Sequence, residues 1–330
     1  MLEPDSLPIT PGSDLIWDMP EAVYHADPCP TPSLSSSIAK KLVHETPLHA
    51  WTAHPRLNPY HEPQHKDAFD LGSTAHMRLL GKGAEVVVVD AEDWRTKAAR
   101  EARDTARAEG KTPILRKDSD RVDAMVEAAH LQLTAIGVGD VFSRAIDREV
   151  TFIAEVDGVL CRCRVDALGV ERRESGPVLI AYDYKTTPKI PTPDELPKLL
   201  ANLGYDIQDD HYTSVVTAAT GLPCEMRFVV QEKSDPHLLA VTSLSPLWRQ
   251  DAQRAGKRAR EVWRRCLEEN AWYGLPGDII EVDAPAFHAQ TLEGREARRQ
   301  EIKHRHGQDI LDRSFRLQAP EPLPAPEAAQ

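Results

Sequence analysis

Pro177-Val178-Leu179-Ile180-Ala181-Tyr182-Asp183-Tyr184-Lys185 is an almost unbroken apolar run that closes on two opposite charges. Such a run predicts a strand covered on both faces, and therefore a sheet layered with helices. On a strand, Asp183 and Lys185 are two apart and emerge on the same face. Upstream, Glu149 to Val156 alternates as a strand, Asp157-Gly158 is a hairpin turn signal, and Val159 to Leu168 reads as a second strand. A loop containing Gly169, Arg172, Arg173 and Gly176 is expected to join it to the apolar run. Asp166 lies near the end of that second strand. A meander of the three would bring two carboxylates and one ammonium to one edge of a sheet.

Carboxylates are the hard oxygen ligands that Mg²⁺ or Mn²⁺ prefers. A metal held there could bind a phosphate oxygen, acidify a water and stabilise a leaving oxygen. Lys185 could orient or deprotonate the attacking water, or offset charge on the transition state. Asp, a gap and Asp-x-Lys is a short pattern, and a structural salt-bridge set is the ordinary alternative. Three further features add to it. Gln208 and Tyr212 are four apart in a helical stretch and share a face, His76 follows Gly72-Ser73-Thr74-Ala75, and Glu149 could supply a third carboxylate. Taken singly, His76 also reads as a satisfied helix histidine and Tyr212 as a core aromatic.

Around this centre, Ser35-Ser36-Ser37 offers cap candidates for a short helix from Ile38 to Val43, which Pro47 ends or redirects. Val86 to Val89 is a strand candidate, and residues 91–136 are mostly helical by composition, broken near Thr112-Pro113. Residues 194–220 read as helix, Glu225 to Gln231 and Leu238 to Leu244 as strands, and about 246–270 as a long helix rich in arginine. The expected organisation is an irregular arm over 1–30, one domain over 31–270, an extension over 271–315 and a disordered Pro/Ala-rich tail over 316–330.

Composition narrows the function classes. Hydrophobic residues at 41% and charged residues at 28% suit a globular protein with a sizeable core. The formal net charge of -12, from 40 basic and 52 acidic residues, argues against a protein that coats nucleic acid, though not against an enzyme with a local basic groove. Aromatics at 6% leave little material for stacking RNA bases. The five cysteines form no C-x-x-C pair and read as free thiols of a reducing cytosol. Neither a secretory signal nor a membrane span is expected, which makes the cytoplasm the default location.

Gly-Ser-Thr-Ala-His at 72–76, Glu149, Arg-Val-Asp-Ala-Leu at 164–168, Tyr-Asp-Tyr-Lys-Thr-Thr at 182–187 and Gln-Asp-Asp-His-Tyr at 208–212 follow one another in an order that resembles the PD-(D/E)xK nuclease superfamily. Within it, the sequence resembles the RecB-like and RecE-like exonuclease branch, and Pro32 to Ser37 is similar to the start of RecE-type phage domains. The resemblance spans roughly residues 24–245. It implies an α/β, restriction-endonuclease-like core: a mixed central sheet flanked by helices, with extra N- and C-terminal helices. It implies Asp166 and Asp183 as metal ligands joined by the backbone carbonyl of Tyr184. Glu149 and His76 would lie at the metal or the scissile phosphate, Lys185 would be the catalytic lysine, and Gln208 and Tyr212 would support the site or contact DNA. Asp183 stands where many relatives carry Glu. The implied activity is Mg²⁺-dependent exonuclease action on double-stranded DNA from its ends, 5′–3′, in phage-type recombination or repair. The implied partners are a single-strand annealing protein and further copies of the chain in a ring. An endonuclease on the same core, or an inactive DNA-binding scaffold, are the alternatives.

Overall fold

The computed structural model describes residues 15–16, 19–62, 68–81, 85–139, 141–142 and 148–307. Residues 316–330, expected to form a disordered tail, lie outside the described residues. The chain divides into two units, 1–275 and 276–330.

In the first unit the elements run β1 (Leu15–Ile16), α1 (Glu21–His25), β2 (Leu34–Ser35), α2 (Ser36–His44), α3 (Pro47–Ala53), α4 (Ala68–Leu80), β3 (Val86–Val89), α5 (Lys97–Ala108), β4 (Thr112–Leu115) and α6 (Arg116–Ala135). They continue with β5 (Arg148–Val156), β6 (Val159–Arg173), β7 (Gly176–Thr187), α7 (Leu196–Asn202), α8 (Tyr205–Thr220), β8 (Cys224–Glu232), β9 (Leu239–Thr242) and α9 (Pro246–Glu269). Among the described residues these build a seven-stranded sheet of order β1-β5-β6-β7-β8-β9, with β2 also paired to β6. β5, β6 and β7 form the antiparallel meander, β8 joins β7 in parallel, and β9 returns antiparallel. This is the α/β core with a mixed sheet that the sequence led us to expect.

β7 is covered on both sides, as its apolar run requires. Leu179 and Ala181 enter one core with Phe152, Phe228, Ile207, Val215 and Trp263, under α2, α8 and α9. Val178, Ile180, Tyr182 and Tyr184 enter a second core with Leu79, Met125, Ala129 and Leu133 of α4 and α6. The Asp157-Gly158 turn has positive φ at both residues, 52° and 74°, as a tight hairpin demands. Cys161 and Cys163 are free, buried and in the same core.

Four segments depart from the sequence reading, each for a local reason. Thr112–Leu115 is a strand paired in parallel with β3 rather than a break between helices. Pro113 cannot extend a helix but is tolerated at a sheet edge, while Ile114 and Leu115 are buried. The expected loop at 169–176 is continuous hairpin, with Arg173 opposite Gly176. There Arg173 bonds Glu171 and Glu225, and Arg227 bonds Glu171, so alternating charges stitch the rim of three strands. The helical stretch 194–220 breaks at Gly204, which sits at φ 61° as the N-cap of α8. Within the first thirty residues, β1 pairs with β5, α1 forms, and Asp27 is buried beneath Ser33, His54 and Arg162.

The arginines of α9 are taken by this chain's own carboxylates, including Arg249 by Asp209, Arg264 by Glu268 and Arg265 by Glu269. Arg260 is buried and donates to Asp210 Oδ2 at 2.7 Å and to Asp157 Oδ2 at 2.8 Å. Gly256 permits this contact, since a Cβ there would stand 1.8 Å from Asp210 Oδ2. Because Asp210 is held by Arg260, it cannot swing aside cheaply. Gly256→Ala is therefore expected to cost about 1–3 kcal/mol, read as a lower urea midpoint; an unchanged midpoint would show that α8 and α9 separate freely.

The second unit holds α10 (Ala286–His306), which has no buried residues. No helix among the described residues is long and apolar enough to cross a membrane.

Candidate active site

β6 and β7 cease to pair at Ala167 opposite Tyr182, and the next residue outward on each strand is an aspartate. Asp166 and Asp183 thus stand where the two strands part, while β7 continues alone along β8 as far as Thr187 opposite Glu232. The β5–β6 ladder is also interrupted here, between Arg148 opposite Ala167 and Val150 opposite Val165. Its missing rung is Glu149, held at φ 52°, a conformation a glutamate seldom adopts. Side-chain alternation slips at the same point. Val165 and Leu168 face the first core, whereas Ala167 faces the second. Strain of this kind is tolerated where surrounding structure over-determines it, and it tends to gather at functional sites.

Both carboxylates are nearly out of water, Asp166 at 9% exposed and Asp183 at 2%. Asp166 accepts from the backbone N–H of Tyr184 at 2.8 Å through Oδ2, and His76 Nε2 lies 3.1 Å from its Oδ1. Gln208 Nε2 donates to Asp183 Oδ1 at 2.7 Å. Lys185 Nζ is 2.6 Å from Asp183 Oδ2, and that buried oxygen has no other donor. Glu149 is ion-paired with Arg164, and His76 Nδ1 is 4.0 Å from its other oxygen. Gly72 lets α4 approach, since an added Cβ would come within 3.1 Å of Thr186 Oγ1.

The charges act on one another. Burial pushes the Asp183 carboxyl above the usual carboxylate range, and Asp166 adds to this against the pull of Lys185. Asp166 is also penalised by burial, but His76, Lys185 and the Tyr184 N–H outweigh it and hold the group below that range. Burial works against charge on Lys185 as well, yet Asp183 and Asp166 prevail and raise its value.

A family model described as a PDDEXK-like domain of unknown function (DUF3799) matches residues 35–279. The chain belongs to this family. It is a member of the PD-(D/E)xK nuclease superfamily. The fold is similar to a crystal structure from Eubacterium rectale of a protein provisionally named an exonuclease. That match has 11% identity and a TM-score of 0.53, and it covers 83% of this chain and 98% of the other. At that identity the likeness speaks for the fold. No curated protein matches the chain.

Of the eight site residues expected of this PDDEXK-like chain, six converge through their side chains: His76, Glu149, Asp166, Asp183, Lys185 and Gln208. Tyr184 joins them through its backbone, while its side chain turns to the second core and donates to Gln231 Oε1 at 2.6 Å. Tyr212 stands one turn along α8 in the first core. Among the described residues it makes no hydrogen bond to the aspartates or Lys185. Two residues join the site unannounced by any motif. Lys40 of α2 donates to Gln208 Oε1 at 3.0 Å, and both Lys40 and Lys185 lie over the ring of Tyr205, at 4.6 and 5.4 Å. Burial and the nearby Lys185 lower the Lys40 value to about 8.

Among the described residues no three His, Cys, Asp or Glu side chains are spaced closely enough to enclose one ion. The donor set nevertheless fits a hard divalent cation. Two buried carboxylates meet there, and one of their oxygens, Asp183 Oδ2, has only the Lys185 ammonium beside it.

Proposed function

We propose that this chain is a Mg²⁺-dependent exodeoxyribonuclease that degrades duplex DNA from its ends in the 5′–3′ direction, with Mn²⁺ able to substitute. The observation that carries the proposal is the pair of buried aspartates at the parting of β6 and β7, with Lys185 beside an otherwise unbonded Asp183 oxygen. Asp166, Asp183 and the carbonyl of Tyr184 would hold the metal. When bound, the ion supplies positive charge to a phosphate oxygen and lowers the pKa of a water.

The chain's own groups do the rest. Gln208 holds Asp183 by one oxygen, while the other faces Lys185. His76 and the Tyr184 N–H fix Asp166 from two sides. Lys185, kept an ammonium by its neighbours, is placed to orient the attacking water and to offset charge gathering on the phosphate. Glu149 and His76 line the approach to the scissile phosphate. The provisional exonuclease name of the fold's neighbour favours end-dependent cutting over cutting within a duplex. The resemblance extends the proposal to a ring of copies working beside a single-strand annealing protein in phage-type recombination or repair.

A time course on linear and closed circular duplex DNA tests this reading. Linear DNA should disappear in Mg²⁺, circles should survive, and EDTA should stop the reaction. Cleavage of closed circles would make the chain an endonuclease on the same core. No cleavage in Mg²⁺ or Mn²⁺ would leave a DNA-binding scaffold.

A further inference from the structure

Lys40 is a cation of this site that no carboxylate claims. Among the described residues it forms no ion pair, whereas Lys41, next along α2, takes Glu45 at 3.0 Å in an ordinary i,i+4 pair. Asp183, the nearest acid of the site, is already occupied by Lys185 and Gln208. Asp206 also acts on Lys40, but from beyond ion-pair distance. The placement is built in by Gly204, where a Cβ would come within 3.2 Å of Lys40 Cγ and 3.0 Å of His44 Nε2. Removing the side chain at position 204 thus lets α2 close on the start of α8. The fold holds a half-buried ammonium at the site with no carboxylate in ion-pair contact, an arrangement that costs free energy until an anion arrives.

The geometry points to Lys40 as a second phosphate-binding residue, one that takes a backbone phosphate of the DNA strand beside the one held at Asp166, Asp183 and Lys185. This inference rests on the nuclease reading above. Lys40 and Lys185 flank one Tyr205 ring, so two ammonium groups are presented side by side. Such spacing suits a repeating polyanion better than a single small anion. A lysine serves as a point charge for phosphate, and each such contact appears in the salt dependence of binding. Through Gln208, whose two ends touch Lys40 and Asp183, that phosphate contact is also tied in register to the reacting centre.

The test is steady-state cleavage of linear duplex DNA in Mg²⁺ over a NaCl series, with the wild type, Lys40→Met, Lys40→Arg and Lys41→Met. Lys40→Met should raise KM on the order of tenfold, with a smaller change in kcat. The plot of log kcat/KM against log salt should become shallower by about 0.9. Lys40→Arg should keep the wild-type slope, and so should Lys41→Met. If Lys40 serves only to hold Gln208, Lys40→Met will lower kcat and leave the slope alone, which overturns the inference while the nuclease reading stands. A wild type that cleaves nothing in Mg²⁺ or Mn²⁺ overturns both. Circular dichroism melts accompany each variant, and Lys40→Gln takes over should Lys40→Met fail to fold.

Discussion

Lys185→Ala is expected to slow cleavage of linear duplex DNA by roughly 10²–10³-fold, the usual loss when one preorganised charge is removed from a reacting centre. The ammonium stands 2.6 Å from Asp183 and only a quarter of its side chain reaches solvent, so neither bulk water nor a neighbouring group can replace it. Lys40 is the nearest candidate, but it is already engaged by Gln208 and the Tyr205 ring. The substitution also strips a buried carboxylate of its cation, so a melting curve must accompany the rate. Asp183 already lies above the usual carboxylate range and can accept a proton, which should keep the variant folded. A variant that melts like the wild type and still cleaves at the wild-type rate would remove Lys185 from the chemistry.

Arg260→Ala should be the most damaging substitution far from the site, at about 3–5 kcal/mol. It would lower Tm by roughly 10 °C in a domain of this size. Asp210 has only 2% of its side chain exposed, and without Arg260 nothing in the first core offsets its charge. Asp157, in the β5–β6 turn, loses the same partner, so α9 loses its buried ion-pair tie to both α8 and the hairpin. The pH dependence follows from the raised carboxyl. Burial pushes Asp210 up even with Arg260 pulling it back, and removing the arginine pushes it further. A carboxyl that binds its proton more tightly when folded favours the folded state as pH falls through the folded value toward the unfolded one. The deficit of Arg260→Ala should therefore be smaller near pH 5 than near pH 8, as melting across that range would show. A deficit independent of pH would assign the loss to packing of the guanidinium stem instead.

Much of the site was legible because it is written locally. Asp183 and Lys185 share a face through the two-residue period of a strand, and Asp166 follows from a hairpin announced by Asp157-Gly158. Gln208 could be placed on one helix face by spacing alone. The same local logic misjudged Thr112–Leu115, because four residues that include a proline carry no signal for the partner strand that pairs with them. It also carried the helix of 194–220 through Gly204, whose backbone is set by α2 pressing against it.

The sequence by itself determined the covered strand, the hairpin before it, and therefore which charges meet at one sheet edge, since backbone periodicity acts between near neighbours. Only the tertiary structure decided that Lys40 reaches Gln208 across 168 residues, that Glu149 breaks its ladder opposite Asp166, and that Gly256 seats Arg260 on Asp210. Those contacts depend on how helices pack over a sheet. Close packing is a property of the assembled core that no single segment carries.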